Sequence, residues 1–105
     1  MLFIEFKKVE TANRLFNRID EIRQEQIAKG DGIRQLWLHT TEYDLLAYAY
    51  RKKKYYKTGQ YFPTIFRKHT GIDIDFHGLC INMILGYVLY TTASGKLKTK
   101  YLGDY

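Results

Sequence analysis

The chain has 105 residues, 46% apolar and 27% charged, with a formal net charge of +6 at pH 7 and a single cysteine. That length supports one modest core, hence one domain over 1–105. The lone Cys80 excludes an internal disulfide, and no apolar run approaches the roughly 20 residues that span a bilayer. Met1-Leu-Phe-Ile is followed at once by Glu5, which does not read as a secretory leader, so a cytoplasmic protein is expected.

Leu2 to Phe6 is a short β-prone run. Thr11 to Lys29 reads as the longest helix, with Leu15, Ile19, Ile22 and Ile27 on one side and mostly polar residues on the other. Gly30-Asp-Gly32 closes it as a turn. The apolar side of this helix packs on the rest of the chain or on a second copy, so a homodimer stays open. Ile33 to His39 reads as a strand. Thr41-Glu-Tyr-Asp44 has capping-box spacing and opens a helix through Leu45, Leu46, Ala49 and Tyr50 into Arg51-Lys-Lys-Lys54. Cations placed late in a helix favour its negative end.

The most informative stretch is 62–79. Pro63 suits a first helical turn, Ile65, Phe66 and His69 recur at helical spacing, and Gly71 supplies the left-handed exit. Asp73 then reads as the cap of a further helix, whose stripe is Ile72, Phe76, Leu79 and Met83. Two short helices joined by a glycine turn make a helix-turn-helix. Beyond Asn82 the period changes to two. Gly86–Tyr90 and Lys96–Tyr101 read as a hairpin whose second strand carries Lys96, Lys98 and Lys100 on one face and Leu97, Thr99 and Tyr101 on the other.

Charge follows the same division. Residues 1–40 carry seven Lys/Arg and six Asp/Glu, whereas 41–105 carry ten and five, together with all ten tyrosines. A basic, tyrosine-rich half suggests an anionic partner, nucleic acid above all.

The succession LHTTEYDLLAYAY…TGQYFPTIFRKHTGID…ILGYV resembles the winged helix-turn-helix domains of phage and plasmid replication initiators and replisome organisers. Gly59, Phe62-Pro-Thr64, Thr70-Gly-Ile-Asp73 and Gly86-Tyr-Val88 carry that resemblance over 38–103. It implies an α+β winged helix-turn-helix, with three short helices and a C-terminal β-hairpin wing, to which residues 1–37 append a strand and a long helix. It also implies double-stranded DNA as the partner and a regulatory or replication-linked role. Arg51, Lys52, Lys53, Lys54 and Lys57 would contact phosphates, as would Arg67, Lys68 and the wing residues Lys96, Lys98 and Lys100. His77 and Asn82 would read bases. The third helix would open on Asp73 and Asp75, where that family places Ser, Thr and Arg; carboxylates there repel phosphate, although one can accept from cytosine.

Two alternatives stand beside this reading. A small phage-type protein that binds and inhibits or adapts a host protein would use the tyrosines as interface residues. A metal-dependent nuclease would use Asp73, Asp75 and His77, which share one face if the segment is a strand. Cys80 has no visible base, and neither a phosphate loop nor a serine elbow occurs, so an enzyme is not expected and no cofactor is implied.

Overall fold

The computed structural model describes residues 3–52, 61–76 and 84–105. Its elements run α1 (Phe3–Ala28), β1 (Ile33–Trp37), α2 (Thr40–Arg51), α3 (Phe62–Thr70), β2 (Asp73–Asp75), β3 (Tyr87–Thr92) and β4 (Leu97–Tyr101). The class is α+β, and the described residues form three helices and a four-stranded mixed sheet in the order β2-β1-β3-β4.

Helix α1 buries Ala12, Leu15, Ile19, Ile22 and Gln26, a stripe at three- and four-residue spacing. The run from Phe3 to Phe6, expected as a strand, is instead its first turn. No glycine or proline interrupts 3–28, so a helix anchored at its buried middle extends through the run on local hydrogen bonds, whereas a strand would need a partner. Ile4 and Phe6 are left exposed there, at 76% and 55%. No helix among the described residues is long and apolar enough to cross a membrane.

Helix α2 starts one residue before the expected capping box. His39 is the N-cap, its Nδ1 accepting from the Thr41 amide at 3.1 Å, and Thr41 already lies in the first turn. Helix α3 follows its sequence signals: Pro63 is in the first turn, and Gly71 leaves at φ 77° with its N–H donating to Arg67 O at 2.7 Å.

Beyond Gly71 the chain departs from expectation. Asp73 caps no helix; Asp73–Asp75 forms β2, parallel to β1, with Leu36 opposite Ile74 and Trp37 opposite Asp75. Ile72 and Ile74 alternate with the aspartates, so a period of two fits this segment as well as the helical stripe does. The adjacent edge of β1 decides for the strand by accepting its backbone groups. Leu79 and Met83, the rest of the expected stripe, lie outside the described residues.

The hairpin forms as β3 and β4, antiparallel, with Val88 opposite Lys100 and Tyr90 opposite Lys98. Strand β3 also pairs with β1 across a bulge between Ile33 and Gln35, so the hairpin is half of one sheet.

Register sorts the two faces, because paired residues point the same way. Ile74, Leu36, Tyr90 and Lys98 form one row and Val88 and Lys100 the next. These rows meet Leu15, Ile19 and Ile22 of α1, Leu46 and Tyr50 of α2, and Phe62 and Phe66 of α3 in a single core. Asp73, Gln35, Thr91 and Leu97, then Asp75, Trp37, Leu89 and Thr99, line the opposite face, and Tyr87 and Tyr101 pair beyond them.

Glu42 joins the two layers. It is fully buried in the first turn of α2, where the helix N-terminus favours negative charge. Its two oxygens accept from the Gly86 amide at 3.2 Å each, and Oε2 also accepts from the Tyr105 hydroxyl. The start of β3 and the C-terminal tail are thereby tied to α2, and Leu102 N adds a bond to Gly86 O at 2.7 Å. At the other end of the sheet, Asp31 accepts from both the hydroxyl and the amide of Ser94, which holds its carboxyl below the ordinary range and fixes the β3–β4 turn.

Glu42→Ala leaves the Gly86 amide and Tyr105 hydroxyl without their acceptor, and is expected to lower the unfolding free energy by about 3 kcal/mol in urea titration. A second expectation concerns high pH. Burial, then the hydrogen bond and the charge of Glu42, push the Tyr105 phenol above its ordinary value; burial does the same at Tyr90. The folded state therefore holds these protons to higher pH than the unfolded chain does. Stability is flat below about pH 10 and falls as pH rises beyond it. Tyr105→Phe is expected to flatten that alkaline fall, read as unfolding midpoints across the range.

Candidate nucleic-acid interface

The last turns of α2 and α3 are brought together by side chains from three helices. The Tyr50 hydroxyl and His69 Nδ1 are 2.7 Å apart, and the His69 ring stacks on Phe16 of α1 at 5.9 Å between centroids. Both helices therefore present their negative C-terminal ends at the same end of the helical layer, where cations are favoured. Arg51 and Lys52 lie at the end of α2, and Arg67 and Lys68 in the last turn of α3. Tyr48, one turn back from Lys52, has Lys52 Nζ 5.3 Å from its ring centroid and Lys8 Nζ, from α1, at 4.6 Å. The ring holds two ammonium groups beside it and adds an aromatic surface to the cluster. An open cleft of about 310 Å³ lined by Lys8, Thr41, Asp44 and Leu45 adjoins it.

Of the residues expected to contact nucleic acid, Arg51, Lys52 and Lys68 lie on the helix ends that Tyr50 and His69 join. Arg67 stands near them but donates to Asp73, whose carboxylate raises the guanidinium pKa and neutralises part of its charge. Lys53, Lys54, Lys57, His77 and Asn82 lie outside the described residues.

Lys96, Lys98 and Lys100 belong elsewhere. Strand β4 is separated from β2, which α3 leads into, by β1 and β3, about 14 Å across the sheet. The expectation that the lysines share a face holds for Lys98 and Lys100, but that face turns toward α1. Lys100 pairs with Glu25 at 3.3 Å, and Lys98 Nζ reaches Gln26 Oε1 at 3.5 Å. Charged residues pointing inward from an edge strand also discourage pairing with another sheet.

The contact of Lys8 with Tyr48 has no signal in the sequence. Lys8 follows a run read as a strand, which hid that it continues along α1 toward α2. The aspartates of the nuclease alternative do share a face of β2, but Asp73 is engaged by Arg67 and Asp75 Oδ1 accepts from the Phe76 amide at 2.7 Å. Among the described residues no three His, Cys, Asp or Glu side chains group as metal ligands. No protein-family model, curated protein or solved structure matches this chain.

Because Lys98 and Lys100 face α1, replacing both with alanine is expected to cost up to about 1 kcal/mol in unfolding free energy, from two half-exposed contacts. The same double variant is expected to leave the salt slope of any nucleic-acid binding as in the parent.

Proposed function

We propose that this protein is a non-catalytic nucleic-acid-binding protein of regulatory or replication-linked type, docking through the basic end of its helical layer. The observation that carries the reading is the pair Lys8 and Lys52 against the Tyr48 ring, with Arg51 and Lys68 on the last turns of α2 and α3, which Tyr50 and His69 join. Cations so placed meet phosphates, and phosphate contacts orient a protein without reading sequence. The net charge of +6 draws a polyanion to that surface from a distance.

The finer winged-helix form of this reading takes α2 and α3 as the helix pair and the β3–β4 hairpin as the wing, in the same chain order. It also needs a base-reading helix after Gly71, and Asp73–Asp75 is a strand. The phosphate-directed form needs no such helix and is the one proposed. A protein-binding role is the second reading, favoured by Ile4 and Phe6 standing in solvent at the start of α1.

Fluorescence anisotropy with labelled DNA across a salt series tests the proposal. Binding is expected to weaken steeply with salt. Lys8→Ala/Arg51→Ala/Lys52→Ala is expected to flatten the log–log slope on duplex by about 0.9 for each phosphate that the variant no longer neutralises. Absence of binding at low salt would discard the reading and bring the protein partner forward.

A further inference from the structure

The face of the sheet turned away from the helices carries aromatic surface that the basic helical end does not use. Tyr87 and Tyr101 are cross-strand partners on β3 and β4, their ring centroids 5.3 Å apart and tilted by 50°. They are 43% and 51% exposed, and Leu97, on the same face of β4, is 52% exposed. Trp37 stands half-buried one strand further in, opposite Leu89. No outward residue of β3 or β4 is charged.

Cations flank this aromatic surface. Lys96 precedes β4 at the hairpin turn. At the other end, Arg18 Nη2 donates to the Tyr101 carbonyl at 3.2 Å while Nη1 pairs with Glu21. Arg14, paired with Glu10, and Arg18 line an open cleft of about 370 Å³ against the tail 102–105, together with Glu21 and Asp104, and the Tyr101 hydroxyl donates to Asp104 at 3.5 Å. Lys96 to Tyr101 spans about 17 Å along β4, room for a few nucleotides. Along α1, Lys7, Arg14 and Arg18 fall at seven- and four-residue spacing on one helical face, about 16 Å from first to last, leading from the basic end toward Tyr101.

We infer that the β3–β4 half of this face is a stacking platform for single-stranded nucleic acid, with bases on Tyr87 and Tyr101 and phosphates near Lys96 and the Arg14–Arg18 cleft. The inference rests on the nucleic-acid reading above and specifies its ligand. Two physical reasons select the single strand. A duplex keeps its base faces inside its own stack, whereas an unpaired strand offers them to aromatic rings. The β2 edge of the same face carries Asp73 and Asp75, so a duplex broad enough to cover the sheet would set phosphates against carboxylates. A strand confined to β3 and β4 stays roughly 10 Å from that edge.

The test compares a labelled oligothymidylate, an oligouridylate and a mixed-sequence duplex at one salt concentration. Single strands are expected to bind roughly tenfold more tightly than duplex, and Tyr87→Ala and Tyr101→Ala each to weaken single-strand binding by roughly tenfold while moving duplex binding less than about twofold. Tyr87→Phe and Tyr101→Phe keep the ring and are expected to bind as the parent does, separating stacking from loss of the hydroxyl. Photocrosslinking of a 5-iodouracil strand is expected to mark peptides holding Tyr87 or Tyr101. Salt-dependent binding that is equal for duplex and single strands, unmoved by both alanine variants and without these crosslinks, overturns this inference while the basic-end reading stands. No binding of any of the three probes at low salt overturns both.

Discussion

The carboxylate of Glu42 is the constraint on which the arrangement of the layers depends. A fully buried negative charge is costly unless its lone pairs are satisfied, and here the Gly86 amide and Tyr105 hydroxyl satisfy them beside the positive end of α2. Each donor comes from a distant part of the chain, so solvating the charge with protein groups requires β3 and the tail to meet α2. Hydrophobic burial alone would bring helices and sheet together without choosing that alignment. The alignment also places the tail beside α1, where it forms the wall of the Arg14–Arg18 cleft.

The fold separates the positive charge into two roles. Cations at helix ends and around Tyr48 remain at the surface, while those on the inner face of β4 are engaged by Glu25 and Gln26. Lysine has a long apolar stem, so it can cover the edge of a core while its ammonium reaches a partner at the rim. A net charge of +6 is thus a poor guide to any one surface: Lys100 supports the helix–sheet contact, and Lys52 faces outward. The same separation leaves the opposite sheet face uncharged over β3 and β4 and acidic along β2.

Much of the local structure was legible because its causes are local. Pro63 and Gly71 bound α3 through their own backbone preferences, and the alternation through 87–101 marks the hairpin. The segment after Gly71 was not legible. Ile72, Ile74 and Phe76 satisfy a strand pattern, and Ile72 with Phe76 satisfies a helical one, so the free edge of β1, remote in sequence, settled the matter. Phe3 to Phe6 went the other way: a β-prone run joined a helix already stabilised by the burial of Leu15, Ile19 and Ile22. Of the expected interface, Arg51, Lys52 and Lys68 could be found from their positions late in helices. Lys8 and the inward turn of Lys98 and Lys100 could not, since they depend on where α1 lies.

What the sequence by itself determined is the bounds of α3, the β3–β4 hairpin, the α+β class and the basic, tyrosine-rich character of the second half. These follow from residue types and spacing within a few turns or strand steps. What only the tertiary structure decided is which segments pair, and with them which charges face inward and which tyrosines face out. A strand edge, a buried carboxylate and a sheet register are relations between distant residues, and their energies exist only once both partners are in place.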